Sequence, residues 1–146
     1  MKVLGFDPGG HTGYSIIRIE DKKIVPVDTG TIVGSAELKE KDFKTLISSV
    51  NVVVIEDFLV RPDKAKQGAF DWDRMQTPQE IAQLLTLCRI FEIPHHLQQP
   101  SIKPVGYGWA GMKYVPGKKG QHERDALAHA VYYVVKNKLA RPVEKR

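Results

Sequence analysis

The sequence places acidic side chains at three points from which they could share one site. Asp7 ends the first apolar run, and Glu56 ends a run of four β-branched residues. Because an unpaired charge beside a buried run is costly, Glu56 predicts a compensating cation. Asp125 lies three residues after His122 in a helical pattern, so these two side chains share a helix face. Carboxylates and an imidazole at one point suit Mg²⁺ or another hard cation.

The chemistry that such a cluster would support is hydrolysis of a phosphodiester. Two divalent ions about 4 Å apart would clamp the phosphate, one activating water and the other stabilising the leaving oxygen. Each residue alone also has a structural explanation: Asp7 could open a turn, Asp125 could stabilise the first turn of a helix, and His122 could be an exposed residue at a helix start. His129, one turn after Asp125, is interpreted as a packing histidine. The prediction of a metal site therefore depends on a fold that brings the acids together.

Hydrophobic patterning predicts the elements that would do this. Strands at residues 2–7, 12–19 and 24–33, separated by turn residues, indicate an antiparallel meander. The motif Thr77-Pro78-Gln79-Glu80 is typical of a capping box with proline at the first helical position, and residues 105–121 are predicted as a glycine-rich loop. The remaining predicted elements are a helix over 35–48 that Ser35 caps, a buried strand at 52–55, a helix over 77–91, a strand at 94–97 and a helix over 122–138.

This order of elements predicts an α/β fold. The sheet should be mixed and five-stranded, three antiparallel strands being followed by parallel strands, with helices on both faces. The first and fourth strands should be neighbours, so that their carboxyl ends bring Asp7 and Glu56 to the same edge of the sheet. With 146 residues, the chain is expected to form one domain over residues 1–146.

Charge is distributed unevenly along the chain, whose net charge is +5. Residues 1–57 hold 7 Lys/Arg and 9 Asp/Glu, whereas residues 58–146 hold 15 Lys/Arg and 8 Asp/Glu. Residues 100–120 contain four lysines and no acid. This half of the chain would attract a polyanion such as nucleic acid; a solvated basic surface is the alternative.

The sequence also indicates a compartment. Cys88 is the single cysteine, so an intramolecular disulfide is excluded, and its apolar helical surroundings favour a buried thiol. The apolar residues before Asp7 are too few for a signal peptide or a membrane span. We therefore expect a cytoplasmic protein with no membrane partner, located in the host-cell cytoplasm if the chain is phage-encoded.

Three segments resemble the signature motifs of one nuclease family. Gly5-Phe6-Asp7-Pro8-Gly9, Val54-Ile55-Glu56 and Asp125-Ala126-Leu127-Ala128 are similar, in order and spacing, to the motifs of RuvC-type Holliday junction resolvases, which are RNase H-like nucleases; the chain resembles a short, phage-type member. The resemblance implies that Asp7, Glu56 and Asp125 are catalytic metal ligands. It adds His122 as a fourth, at a position that holds an acid or a histidine in the family. The implied cofactor is Mg²⁺, with Mn²⁺ as a substitute and two ions per site.

The resemblance also implies an activity and an assembly. The chain would be a crossover junction endodeoxyribonuclease that resolves Holliday junctions by paired nicks in symmetry-related strands of branched, four-way DNA. A homodimer would place two sites on the two strands. The family dimer packs through the helix after the fourth strand, and here that helix carries an apolar stripe broader than one sheet face requires: Ile81, Leu84, Leu85, Leu87, Cys88 and Phe91.

Aromatic and basic residues in two loops are the candidate DNA contacts. Relatives carry an aromatic residue shortly after the glutamate that stacks on bases, and Phe58 is the nearest candidate here, with Phe70 and Trp72 as rivals. Between the last strand and the final helix, bacterial members carry a longer segment with lysines, which the present loop replaces. The basic candidates for phosphate contacts are Arg61, Lys64, Lys66, Lys103, Lys113, Lys118 and Lys119.

Three other functions are compatible with parts of the pattern. A broader structure-selective or debranching nuclease of the same fold would cut flaps, forks or RNA, and the sequence barely separates it from a resolvase. A non-catalytic branched-DNA-binding module would be expected to lack acids that are all present here. An actin-like nucleotide-binding domain also begins with Asp-x-Gly, but it needs two lobes that 146 residues do not supply.

Overall fold

A computed structural model of the chain describes residues 1–58 and 72–143, with side chains from residue 76 onward in the second range. The predicted strands are present, and none of their ends differs from the prediction by more than one residue. The elements are β1 (Lys2–Asp7), β2 (His11–Glu20), β3 (Lys23–Val33), α1 (Ala36–Ile47), β4 (Val52–Glu56), α2 (Trp72–Ile90), β5 (His95–Gln98), a 3-10 turn (Pro100–Ile102), α3 (Lys103–Trp109) and α4 (Gln121–Lys136).

The five strands form one mixed sheet in the order β3-β2-β1-β4-β5. β1 pairs antiparallel with β2, which pairs antiparallel with β3. On its other side β1 pairs parallel with β4, and β4 pairs parallel with β5. The predicted fold class is confirmed, including the adjacency of the first and fourth strands.

Helices cover both faces of the sheet, because successive strand side chains point to opposite sides. Leu4, Phe6 and Val53 face a core completed by α1 and α2, whereas Val3 and Val54 face a second core completed by α4. Asp7 and Glu56 continue the alternation that Val3 and Val54 begin. Their side chains therefore emerge on the α4 face of the sheet.

The capping predicted for two helices is not found in the structure. α2 already begins at Trp72, and Pro78 lies inside the helix rather than at its first position. The predicted capping box is wrong, because the Glu80 carboxylate pairs with Lys39 and Thr12 instead of turning back to a helix start. Ser35 stands at the N-cap of α1 as predicted, but its side chain makes no capping hydrogen bond.

The segment before α4 contains a helix that the sequence analysis interpreted as part of a loop. α3 spans Lys103–Trp109 and buries Gly106 and Tyr107. Gly106 has no side chain at the point where α3 crosses α4: a Cβ built there would lie 2.5 Å from the Ala128 carbonyl oxygen. The glycine that suggested a loop is therefore a helix-packing residue.

The apolar stripe of α2 is used inside the chain. Ile81, Leu84, Leu87 and Cys88 are at most 7% exposed and pack on β1, β4 and α1. The breadth of the stripe is explained by this two-sided packing, so it is not in itself evidence of a dimer surface. Among the described residues, no helix combines the length and apolar character that crossing a membrane requires.

Candidate active site

The carboxyl ends of β1 and β4 place the first two acids side by side. Phe6 pairs with Ile55 across the parallel ladder, so Asp7 and Glu56 stand one residue further along neighbouring strands. Asp7 is 6% exposed, and the side chain of Glu56 is 13% exposed. Both carboxylates are thus held at the edge of the core by strands that are themselves buried.

Helix α4 brings the third acid to this edge through an unusually close approach to the sheet. A Cβ at Gly13 would lie 2.1 Å from the His122 carbonyl oxygen, and one at Gly5 would lie 2.2 Å from the Ala126 carbonyl oxygen. Any larger residue at these two sheet positions would push the helix away. The glycines therefore set how closely His122 and Asp125 approach the strand ends. Asp125 is 3% exposed in this position.

The predicted site residues meet in a connected cluster. Nδ1 of His122 lies 2.9 Å from Oδ2 of Asp7, and Asp7 also hydrogen-bonds Glu56. Nζ of Lys103 lies 3.0 Å from Oε1 of Glu56 and 3.4 Å from Oδ2 of Asp125. Four elements, β1, β4, α3 and α4, thus contribute to one group of charges.

Lys103 occupies a different place from the one that a surface phosphate contact would take. Its side chain is 16% exposed and its ammonium bridges two of the acids. Burial alone would lower the pKa of Lys103, but the charge of Glu56 raises it above its ordinary value, so the ammonium stays charged. Glu56 therefore has the compensating cation that its position predicts.

Burial and the contacts between the side chains shift the pKa values of this cluster in different directions. Burial raises the pKa of Asp7 to about 8, although the hydrogen bond from His122 opposes the shift. Burial also works against the ionised form of Glu56, yet hydrogen bonds from His129 and Asp7 hold its pKa at about 2. The hydrogen bond to Asp7 raises the pKa of His122. The surroundings of Asp7 therefore disfavour its charged form, whereas those of Glu56 favour it.

Two further residues that the sequence analysis did not assign to the site hold the acids in place. The hydroxyl of Tyr107 donates to Oδ1 of Asp125 at 2.5 Å, from helix α3. Nε2 of His129 lies 3.1 Å from Oε1 of Glu56. The spacing of four residues between Asp125 and His129 was the available signal, because it puts both side chains on one face of α4.

The donor set fits a divalent cation in its chemistry. Three carboxylates and an imidazole are ligands that Mg²⁺ or Mn²⁺ accepts. Burial is the main cause of the raised pKa of Asp7, and the nearby charges of Glu56 and Asp125, which a cation would offset, add to it. Within residues 1–58 and 76–143, no three acid, histidine or cysteine side chains form a closed ligand set. The ammonium of Lys103 bridges two of the carboxylates, where it offsets part of their charge.

A groove of about 540 Å³ runs alongside the cluster. Glu56 and Lys103 form part of its wall, and Phe58 and Tyr114 are its aromatic lining residues. Phe58 also packs against the core that α1 and α2 complete. The groove therefore combines a charged wall with flat apolar surfaces, as a site for a nucleic acid strand would.

The other predicted DNA contacts do not join the cluster. Lys113, Lys118 and Lys119 are exposed on the segment between α3 and α4. Helix α4 begins at Gln121, directly after this basic segment. The predicted contacts Arg61, Lys64, Lys66 and Phe70, and the side chain of Trp72, lie outside the described residues.

Comparison with known proteins adds a family context to this geometry. No protein-family model matches the chain. A curated relative, the crossover junction endodeoxyribonuclease RuvC of Geotalea uraniireducens (strain Rf4), is 33% identical over 88 residues, which are 57% of this chain and 48% of the relative. The match thus spans about half of the relative's length.

Solved structures show which fold the chain has. Thermus thermophilus RuvC in complex with a Holliday junction substrate superposes with a TM-score of 0.66 over 98% of this chain and 100% of that one, at 17% identity. The chain has a RuvC-like fold. Fowlpox virus resolvase in complex with Holliday junction DNA superposes with a TM-score of 0.53, covering 94% and 99% of the two chains at 12% identity.

The resemblance predicted from the three motifs is therefore confirmed. The RuvC-like fold holds over nearly the whole length of the chain, including the strand ends and the final helix that carry the acids. It accounts for the mixed sheet and for the meeting of β1, β4 and α4 at one edge.

Proposed function

We propose that the chain is a Mg²⁺-dependent endonuclease that resolves Holliday junctions by paired nicks in symmetry-related strands. The observation that carries the proposal is the convergence of Asp7, Glu56 and Asp125 at one end of a RuvC-like sheet, beside a groove that an extended strand could enter. The similarity to a curated RuvC supports the same activity. We place this activity in the cytoplasm, as the sequence predicts.

In this proposal the three carboxylates are the ligands of the divalent ions, and His122 is a fourth ligand or a proton shuttle. Bound Mg²⁺ would supply an activated water and neutralise charge on the phosphate, the chemistry of a two-metal site. The side chain of His122 is 54% exposed, so its ring is accessible to a substrate as well as to Asp7. The hydrogen bond to Asp7 raises the pKa of His122, and histidine is the side chain whose ordinary pKa lies closest to neutral pH.

Lys103 has two tasks in this scheme. Its ammonium offsets the charge of Glu56 and Asp125, so that the acids can remain close together in the folded chain. It also forms part of the groove wall, where a cation attracts the phosphate backbone. Phe58 and Tyr114 offer ring faces at the same groove, on which an unstacked base could rest.

Two nicks in symmetry-related strands require two copies of the site, and we therefore propose a homodimer. The end of α2 carries exposed apolar residues, Ile90 at 67% and Phe91 at 36% exposure. These residues, rather than the buried stripe of α2, are the candidates for the contact between copies.

The test is cleavage of a labelled four-way junction, run beside a matched duplex, a flap and an RNA–DNA hybrid with Mg²⁺ or Mn²⁺. Paired symmetric nicks confined to the junction are expected, and Glu56→Gln should remove them while junction binding persists. Equal cleavage of flaps or hybrids would instead establish a broader structure-selective nuclease. Binding without cleavage by the unmodified chain would establish a non-catalytic module and overturn the proposal.

A further inference from the structure

Glu56 is anchored by a hydrogen-bonded chain that begins at a backbone carbonyl. Gln98 ends β5 and is the register partner of Glu56 in the parallel ladder, so both side chains emerge on the α4 face. His129 lies on α4, where its side chain is wholly excluded from solvent. The imidazole of His129 bridges the two strand-end side chains.

The contacts fix the direction of each hydrogen bond that links Gln98, His129 and Glu56. Nε2 of Gln98 lies 3.0 Å from the backbone oxygen of His129 and 3.0 Å from its Nδ1. The backbone oxygen is an acceptor, so the amide nitrogen of Gln98 must face it, and its second hydrogen then points at Nδ1. Nδ1 therefore accepts, and the ring proton resides on Nε2, which donates to Oε1 of Glu56 at 3.1 Å.

We propose that Gln98 and His129 are positioning residues, which hold the Glu56 carboxylate in the orientation that binds a divalent cation. The inference deepens the proposed function, on which it rests, because it assigns a task to residues outside the ligand set. A carboxylate that ligates a metal is held by hydrogen bonds from outer residues, whose loss weakens metal binding. A fully buried ring loses little freedom when it forms such a bond, so the carboxylate is pre-oriented before the cation arrives.

Two substitutions separate the hydrogen bond from the packing of the ring. His129→Leu fills the space and removes the donor, whereas His129→Gln offers an amide N–H near the position of Nε2. His96→Leu is the matched control, because His96 is an exposed histidine on β5 outside the cluster. Circular dichroism and thermal unfolding show whether each variant folds.

The main readout is Mn²⁺ binding to the chain without DNA, measured by titration calorimetry. His129→Leu is expected to weaken Mn²⁺ affinity by about 10–100-fold, with His129→Gln and His96→Leu close to the unmodified chain. Unchanged affinity in a folded His129→Leu variant, or equal losses in the leucine and glutamine variants, would overturn the inference.

A second readout does not depend on any variant that could fail to fold. Nitrogen chemical shifts of the His129 ring, recorded on the unmodified chain, should show a protonated Nε2 and a bare Nδ1; the opposite tautomer would overturn the inference. Junction cleavage is assayed in parallel. If Mn²⁺ binds and His129→Leu weakens it while no junction is cut, the proposed function fails and the positioning role stands.

Discussion

Nζ of Lys39 lies 3.1 Å from Oε2 of Glu80, and both side chains are completely excluded from solvent. The same ammonium donates to the carbonyl oxygens of Gly9 at 2.7 Å and Gly10 at 3.2 Å, in the loop that follows Asp7. Thr12 accepts from Lys39 at 2.9 Å and donates its hydroxyl hydrogen to Glu80. The buried pair therefore ties helices α1 and α2 to the loop that directly follows the first acid of the site.

Removing one partner of this pair should destabilise the fold severely. A buried charge left without its partner costs about 3–5 kcal/mol, so Lys39→Met and Glu80→Leu are each expected to lower the free energy of unfolding by that amount. The double variant should lose less than the two effects added together, because no isolated charge remains. Urea unfolding of the four proteins gives the coupling.

An exposed pair supplies the control for this cycle. Lys44 and Glu40 lie 3.7 Å apart with about half of each side chain exposed, and such surface pairs contribute little. Lys44→Met should leave the urea midpoint nearly unchanged. Additive losses at Lys39 and Glu80 would show that the two charges do not support each other.

The meeting of the acids was predictable because it follows from local patterns. Strand alternation and the β-β-β-α-β order place Asp7 and Glu56 on neighbouring strand ends, and the helical pattern places Asp125. What the sequence did not reveal depends on partners far away along the chain. The local sequence motif predicts a capping role for Glu80. Its actual partner, Lys39, is 41 positions distant, and local propensity carries no information on such contacts.

The roles of His129 and α3 also depend on contacts between residues that are distant in the sequence. A histidine on the buried face of a helix predicts packing, and its bond to Glu56 joins residues 73 positions apart. The two glycines and the proline of α3 favour a loop on local grounds, but contact with α4 outweighs that preference. Local rules thus identified the acids, whereas the groups that hold and neutralise them emerged from tertiary packing.

Gly13→Ala should damage the site more than the fold. The added methyl would meet the His122 carbonyl carbon and oxygen at about 2.2 Å and 2.1 Å, so the start of α4 must move. Overpacking of this kind costs about 1–3 kcal/mol, and a shift of about 1 Å at a catalytic group can reduce the rate by about 100-fold. Thermal unfolding and junction cleavage measure the two effects.

Gly108→Ala is the matched substitution, because a Cβ at Gly108 meets nothing within 4 Å and the residue lies inside α3. Alanine is expected to stabilise this helix by up to about 1 kcal/mol and to leave cleavage intact. Full cleavage by Gly13→Ala would contradict the role of the close helix approach.

Asp7→Asn should abolish cleavage and raise the free energy of unfolding. The carboxyl of Asp7 is buried beside Glu56 and Asp125, and these surroundings raise its pKa to about 8, which means that the folded chain disfavours the charged form. A neutral amide removes this penalty, so the free energy of unfolding in EDTA at pH 7 should exceed that of the unmodified chain by as much as a few kcal/mol, at about 1.4 kcal/mol per pKa unit. Cleavage should be lost. A variant that is less stable in EDTA would show that the Asp7 carboxyl supports the fold.

Neutralising Lys118 and Lys119 should change how junction binding depends on salt. Both side chains are exposed in the segment just before α4, near the end of the sheet that carries the acids. Each lost phosphate contact reduces the slope of log K against log salt by about 0.9, so Lys118→Gln/Lys119→Gln should flatten the slope by about 2.

Lys22 and Lys23 lie at the β2–β3 turn, at the opposite end of the sheet from Asp7. Lys22→Gln/Lys23→Gln removes the same charge and should leave the slope unchanged. Equal slopes for the two double variants, measured by fluorescence anisotropy across a salt series, would mean that net charge rather than contact at this segment governs binding.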